Sequence, residues 1–275
     1  MAGELEGAQK ALLELSKSLK NFPSDPAPTE IHRLRTASRR AEVIAGALVR
    51  ASGGKSRRFI KSLEPVRKAA GEVRDMDVLA ANARRLGRRS PGESLARLIA
   101  HLENAREQNA QALGRALDRR RKTVRENRKE YSRHVKSVLT APKSALQSGS
   151  PGQPQQEVQA AATRVVRELG DWAPLDAGNI HEFRLKVKEL RYILQLDTDA
   201  DAELVDALGT VQKRIGDWHD WQQLDEIARE VLHDAWDGAL LERIDETTKR
   251  KFTQALKSAN GLRAKYLAMP IAQGI

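Results

Sequence analysis

Two stretches of the chain share one pattern: residues 31–42 read IHRLRTASRRAE, and residues 180–192 read IHEFRLKVKELRY. In both stretches a histidine is followed three and seven positions later by a basic side chain. Residues with these spacings lie on one face of an α-helix, in a stripe roughly 80° wide. The two stripes consist of His32, Arg35 and Arg39, and of His181, Arg184, Lys188 and Arg191. Each stretch therefore predicts a helix with a line of cations along one side.

Each of these helices also has an apolar side next to its cations. Apolar residues at helical spacing are typical of a face that packs into a core. In the first stretch and just beyond it, this side consists of Ile31, Leu34, Ala41, Ala45 and Leu48. In the second stretch it consists of Ile180, Phe183, Val187, Leu190 and Leu194.

The same periodicity fills the chain between segments rich in Gly, Pro and Ser, and it predicts an all-α fold. Hydrophobic residues make up 40% of the chain, charged residues 31% and aromatic residues 4%, a composition typical of helices packed on helices. The Gly-, Pro- and Ser-rich segments act as helix breakers, and their positions predict helices of ordinary length and one long helix, Glu93 to Leu139. The segment at 148–156, SGSPGQPQQ, is the predicted linker between a first bundle, 1–147, and a second, 157–275.

A second pair of motifs recurs in the same order as the first pair. Gly71-x-x-Arg74-Asp75 follows the first histidine stretch, and Gly216-x-x-His219-Asp220 follows the second. Two motifs that repeat in order with nearly equal separation indicate an internal duplication. We expect two copies of one helical unit, related by a pseudo-two-fold axis.

The charge of the chain predicts a polyanionic partner. Lys and Arg number 48 against 37 Asp and Glu, a net charge of +11. The basic surplus is concentrated in residues 31–144, and such a distribution favours binding of nucleic acid, phosphate polymers or acidic membranes. With no cysteine, thiol catalysis, cysteine-ligated metals and disulfides are excluded. No apolar run reaches the roughly 20 residues of a membrane span, and the acidic N-terminus does not resemble a signal peptide, so we expect a soluble, cytoplasmic protein.

The stripes themselves predict an anion site. Like charges at helical spacing repel one another, and neither stripe contains a glutamate that would relieve this. Arginine binds phosphate oxygens in a bidentate manner. The turn-rich segments before His32 and His181 predict that both histidines lie in the first turn of their helices, where backbone N–H groups favour anions.

Further basic residues are candidates for the same site. They are Arg40, Arg58, Lys61 and a cluster in the long helix, Arg119 to Lys129. The alternative is a solvated surface on which Glu126 and Glu130 pair with these cations. Both interpretations stay open on the sequence alone.

Catalysis is not expected. The sequence has no GxSxG, Walker A or HExxH motif, so nucleophile, nucleotide and zinc-protease signatures are lacking. Its carboxylate candidates for a metal are Asp75, Asp77, Asp217 and Asp220, and we interpret Asp75 as part of an ion pair or cap at a turn. We expect a binding module with no cofactor and no metal.

The paired histidine and glycine motifs resemble those of the CHAD domain, the conserved histidine α-helical domain. The resemblance extends from about residue 8 to residue 266. It rests on His32 to Arg40, Gly71 to Val78 and His181 to Tyr192. It implies two four-helix bundles around a basic central groove that binds inorganic polyphosphate, and possible residence at polyphosphate granules. The implied contacts are His32, Arg35, Arg39, Arg40, Arg58, Lys61, His181, Arg184, Lys188 and Arg191.

The second half departs from the family pattern. Glu189 replaces the second residue of a basic pair, and Asp217 and His219 alter the second glycine motif, so we expect weaker anion binding there than in the first half. Nucleic acid is the alternative polyanion, although the four tryptophans lie away from the arginine-rich clusters and single-strand binders usually stack bases on aromatic rings. A purely structural helical scaffold is the third hypothesis.

Overall fold

The computed structural model describes residues 2–47, 54–87, 92–140, 154–195, 200–233 and 238–267. Its described residues form helices and no strand, which confirms the predicted all-α class. The helices are α1 (Ala2–Lys20), α2 (Pro28–Ala47), α3 (Gly54–Leu86), α4 (Glu93–Thr140), α5 (Pro154–Gly170), α6 (Ile180–Leu194), α7 (Ala202–Val231) and α8 (Gly238–Leu262). A π-helical turn, Arg263–Leu267, continues α8.

The chain divides into two compact units, Met1–Ser150 and Pro151–Ile275. In the first unit each helix from α1 to α4 packs on the next, and α1 also contacts α4. The predicted apolar side of α2 lies in this core, since Ile31, Leu34, Ala41 and Ala45 are fully buried. Leu48 lies outside the described residues.

In the second unit α5 to α8 also pack in sequence, and the π-helical turn returns to α5. Ile180, Phe183, Val187 and Leu190 of α6 are fully buried, which confirms the predicted apolar side. Leu194 is partly buried against the same core. Because this side faces the core, the cationic stripe of α6 is directed along its border with α7, the next helix.

The long helix predicted from the breakers is confirmed as α4, Glu93–Thr140. The expectation that all other helices are of ordinary length is wrong, because α3 has 33 residues and α7 has 30. The placement of Asp75 at a turn is wrong as well, since the first glycine motif lies within α3, as the second lies within α7. A glycine costs a helix only about 1 kcal/mol relative to alanine, which burial of the apolar faces of α3 and α7 offsets.

Of the two histidines, only His181 lies in the first turn of its helix, directly after Ile180. His32 was expected there too, but α2 begins four residues earlier, at Pro28. Proline suits the first position of a helix, and the Glu30 carboxylate accepts a hydrogen bond from the Ala27 N–H at 2.8 Å. His32 therefore lies one turn away from the free N–H groups at the helix start.

Most of the predicted linker lies outside the described residues. Its last three positions, 154–156, belong to the first turn of α5. The domain boundaries at 147 and 157 stay predictions, as do the pseudo-two-fold relation and the central groove. None of the described helices is both long and apolar enough to span a membrane.

Candidate functional site

The stripe of α6 and one histidine of α7 form a group of basic side chains, here called the second cationic cluster. Its members are His181, Arg184, Lys188 and Arg191 of α6 and His219 of α7. The structure therefore places all four predicted residues of α6 along the side of the helix that borders α7. Their contacts differ from one residue to the next.

Arg184 and Arg191 lie across α7 and bind the same residue. Arg184 donates its Nε–H to the backbone carbonyl of Gln212 at 3.3 Å. Arg191 donates from Nη1 to the side-chain oxygen of Gln212, also at 3.3 Å. Their guanidinium groups lie close to Gly216 and Gly209, respectively. The Nε of Arg191 is buried, and no described residue accepts a hydrogen bond from it.

Lys188 lies between these two arginines on the stripe and is 9% exposed. Among the described residues no carboxylate forms an ion pair with Lys188 or with Arg191. Lys186 on the same helix differs, because its Nζ lies 2.7 Å from Glu168 and 3.1 Å from Glu189. These hydrogen bonds raise the pKa of Lys186. On α6, Lys186 outside the stripe is thus neutralised by two glutamates. Lys188 and Arg191 within the stripe have no carboxylate partner among the described residues.

His181 faces His219, with ring centroids 5.2 Å apart. Burial lowers the pKa of His181, and the positive charges of His219 and Arg184 lower it further. A neutral imidazole at this position donates from one ring nitrogen and accepts at the other. An anion placed here would favour the protonated form, which donates from both nitrogens.

The first cationic cluster consists of His32, Arg35 and Arg39 on α2. Arg35 is half-buried and lies over Gly71 of α3. A Cβ atom added to Gly71 would lie 3.9 Å from Nε of Arg35. The repeated histidine and glycine motifs therefore meet in both units, since Arg184 lies over Gly216 in the same way. His32 is exposed and lines a cleft of about 710 Å³ between α1 and α2, together with Arg33.

Three further predicted residues lie in other surroundings. Arg40 is turned towards α1, where its Nη1 lies 2.9 Å from a Glu14 oxygen. Arg58 lies 3.6 Å from Glu130 of α4, one of the two partners expected for a solvated surface. Lys61 is exposed on α3. Arg40 and Arg58 are thus paired with carboxylates, unlike Lys188 and Arg191.

The basic segment of α4 is solvent-exposed over Arg119, Arg120, Arg121 and Lys122. Arg128, further along, is half-buried, and burial and the neighbouring Arg125 lower its pKa. The segment therefore presents a dense positive surface.

The carboxylates considered for a metal have structural contacts. Asp77 is buried, and Arg106 of α4 donates to it from Nε at 2.8 Å. Asp217 accepts a hydrogen bond from Lys213 one turn earlier. No three or more His, Cys, Asp or Glu side chains among the described residues are grouped so that they could hold a metal ion.

Sequence reasoning missed the partners of the arginines on α7. Gly209, Gln212 and Gly216 are spaced at i, i+3 and i+7, which places them on one face of the helix. The sequence signal was the repeat of Gly71 at Gly216. Recognition of α7 as continuous through Gly216 would have indicated a close contact between helices at this position.

The chain was compared with known proteins. The sequence model of the CHAD domain family matches residues 7–229. The crystal structure of the CHAD domain from the plant Ricinus communis is similar, with a TM-score of 0.62 and 17% identity. The match covers 97% of this chain and 90% of the plant chain, and at that identity it shows the fold. A comparison with curated proteins found no match. Because the family model covers most of its length, this chain belongs to the CHAD domain family.

Proposed function

We propose that this chain binds inorganic polyphosphate through the first and second cationic clusters and catalyses no reaction. The family is associated with polyphosphate binding in general. The observation that carries the proposal for this chain is the contrast within α6. Lys186 pairs with two glutamates, whereas Lys188 and Arg191 have no carboxylate partner among the described residues.

The physical cost of that arrangement supports an anionic ligand. Burying a charge without a partner is unfavourable, and like charges at helical spacing repel each other. A phosphate chain offers an oxygen at every unit, so that several cations of one stripe can each form a charge-assisted hydrogen bond. A polymer thereby relieves both the desolvation and the repulsion along the stripe.

Nucleic acid also carries negatively charged phosphates, so the cations alone do not distinguish it from polyphosphate. A nucleic-acid site would in addition contact the bases. Base stacking needs accessible aromatic rings, and Trp218 and Trp221 of α7 are each only 6% exposed. Phe183, on the apolar side of α6 that adjoins the stripe, is fully buried. Phe183 and Trp218 belong to the core of the second unit, Trp221 is buried as well, and polyphosphate is the ligand that we propose. The cytoplasmic location and the central groove stay predictions from the sequence.

The test is a titration with long-chain polyphosphate at near-physiological salt, with single-stranded RNA and duplex DNA as competitors. Lys188→Met removes the buried charge and keeps the apolar stem. Lys186→Met removes the same charge from the same helix and serves as the matched control. A charge-assisted contact is worth about 1.5–3 kcal/mol, so we expect Lys188→Met to weaken binding about tenfold or more and Lys186→Met to have a small effect.

Two results would contradict the proposal. One is equal loss of affinity in Lys188→Met and Lys186→Met, which would mean that only net charge matters. The other is displacement of polyphosphate by RNA or DNA at comparable phosphate concentration, which would favour nucleic acid as the ligand.

A further inference from the structure

The face of α7 that contacts the second cationic cluster has no side chain at two of its three positions, and we call it the α7 contact face. It consists of Gly209, Gln212 and Gly216, spaced at i, i+3 and i+7. All three lie in the middle of a 30-residue helix, where no turn requires a glycine. In a helix interior a glycine is less favourable than alanine by about 0.5–1 kcal/mol. The two glycines therefore need another explanation.

The explanation is the space that the arginines of α6 occupy. A Cβ atom on Gly216 would lie 2.9 Å from Nη2 of Arg184, and one on Gly209 would lie 3.3 Å from Nε and Cζ of Arg191. The first distance is shorter than real Cβ contacts, so the guanidinium would have to move. All the atoms closest to both glycines belong to guanidinium groups and not to the backbone of α6. The glycines therefore make room for these two side chains rather than for close packing of the helix backbones.

Gln212 lies between the glycines and fixes the orientation of both arginines. Its carbonyl oxygen accepts from Arg184, and its side-chain oxygen accepts from Arg191. An arginine has five N–H donors, and each of these bonds uses one of them. The contact face therefore holds both guanidinium groups in place.

We propose that Gly209, Gln212 and Gly216 are positioning residues that hold Arg184 and Arg191 in the geometry for polyphosphate. This inference rests on the proposed function. The gain is preorganisation, because the cost of ordering two long side chains falls on the fold and not on the binding step. A methyl group on either glycine displaces a guanidinium by some tenths of an ångström or more.

The test uses Gly216→Ala and Gly209→Ala, with Gly114→Ala as the matched control. Gly114 lies within α4, where a Cβ atom would meet nothing within 4 Å. We expect Gly114→Ala to raise the melting temperature, since alanine is the better helix former, and to bind polyphosphate like the wild type. Gly216→Ala and Gly209→Ala should each weaken binding about tenfold while the protein stays folded.

A double-mutant cycle tests whether Gly216→Ala weakens binding through displacement of Arg184. In an Arg184→Ala background, Gly216→Ala should cause no further loss, because the side chain that it displaces is absent. An equal loss in both backgrounds, or wild-type binding by Gly216→Ala, would overturn the proposal.

A measurement without ligand separates this inference from the proposed function. The Nε–H of Arg184 donates to Gln212, so its exchange with solvent, followed by NMR, should be slow in the wild type and in Gly114→Ala and faster in Gly216→Ala. If the wild type fails to bind polyphosphate, the proposed function is wrong, and this exchange rate still decides the positioning role. Unchanged exchange in Gly216→Ala would show that the glycine does not position the arginine.

Discussion

The imidazole rings of His181 and His219 lie 5.2 Å apart with their planes tilted by 57°. They belong to the two motifs that recur along the chain, one on α6 and one on α7. Burial, then His219 and then Arg184 lower the pKa of His181, while Glu182 acts in the opposite direction to a smaller extent. His181 therefore resists protonation until an anion arrives, and this has consequences for both stability and binding.

The stability of the ligand-free protein should fall as the pH is lowered below about 6.5, the usual pKa of histidine. Between that value and the lowered pKa of folded His181, the unfolded chain binds more protons than the folded chain, so stability decreases with decreasing pH. Urea unfolding at several pH values between 7.5 and 5.5 measures this slope. His181→Gln should flatten it, and an unchanged slope in that variant would assign the effect to other groups.

Polyphosphate affinity should have the opposite pH dependence. A bound polyanion favours the protonated imidazole, so the complex binds more protons and affinity should rise as the pH falls from 7.5 to 5.5. Calorimetric titrations in two buffers of different ionisation enthalpy would detect the uptake of protons on binding. In His181→Gln we expect less proton uptake. Equal uptake in the wild type and the variant would contradict this assignment.

Asp77 and Arg106 connect α3 to α4 in the first unit, and this pair should be important for stability. The Asp77 side chain is 4% exposed, and Arg106 also donates to the carbonyl of Pro26 at 2.6 Å. Removal of one partner leaves the other charge buried and uncompensated, which costs about 3–5 kcal/mol. We expect a loss of about 3 kcal/mol for Asp77→Ala, measured by urea unfolding.

Asp217→Ala is the control for that measurement. Asp217 pairs with exposed Lys213 at 2.9 Å, and exposed pairs contribute about 1 kcal/mol or less. Equal losses for Asp77→Ala and Asp217→Ala would mean that burial does not strengthen the effect.

Much of the fold was accessible from the sequence because helical periodicity is a local property. The apolar faces of α2 and α6, the ends of α4 and the stripe of α6 all follow from spacing along one helix. The start of α2 was placed too late, because a proline at the first helical position was counted as a breaker. Pro65 and Gly71 lie inside α3, whose buried face offsets their cost to the helix.

The candidate site was predictable only in part, because contacts between helices depend on packing. The spacing on α6 identified Arg184 and Arg191, but not that both bind Gln212 of α7. Likewise, nothing along α2 indicates that Arg40 pairs with Glu14 of α1. Residue spacing along a helix identifies the face on which a side chain lies. The residue that it contacts on a neighbouring helix is identified only from the structure.

Gly71→Ala should behave differently from Gly216→Ala, although the two glycines are equivalent in the repeat. A Cβ atom on Gly71 would lie 3.9 Å from Arg35 Nε, an ordinary contact that displaces nothing. We expect a gain in the free energy of unfolding of about 0.5–1 kcal/mol and wild-type affinity for polyphosphate. A tenfold loss of affinity in Gly71→Ala would show that Arg35 needs more space than this distance indicates.

Lys188→Met should change stability and binding in opposite directions. The ammonium group of Lys188 is held on a side chain that is 9% exposed, without a carboxylate partner among the described residues, and its desolvation opposes folding. Methionine fills a similar volume without that cost, so we expect the ligand-free variant to gain about 1 kcal/mol in the free energy of unfolding. Partly exposed Lys186 pairs with Glu168 and Glu189, so Lys186→Met should be neutral or slightly destabilising.

The combination of these two variants distinguishes a binding cation from a structural one. If Lys188 stabilises the fold, Lys188→Met loses stability, and its weaker binding is then only a result of a damaged second unit. If Lys188 is retained for an anion, the variant is more stable and yet binds polyphosphate more weakly. Thermal unfolding with and without polyphosphate measures both effects, because at a fixed ligand concentration a tighter-binding ligand raises the melting temperature more. We expect Lys188→Met to melt higher than the wild type without polyphosphate and to gain less from its addition.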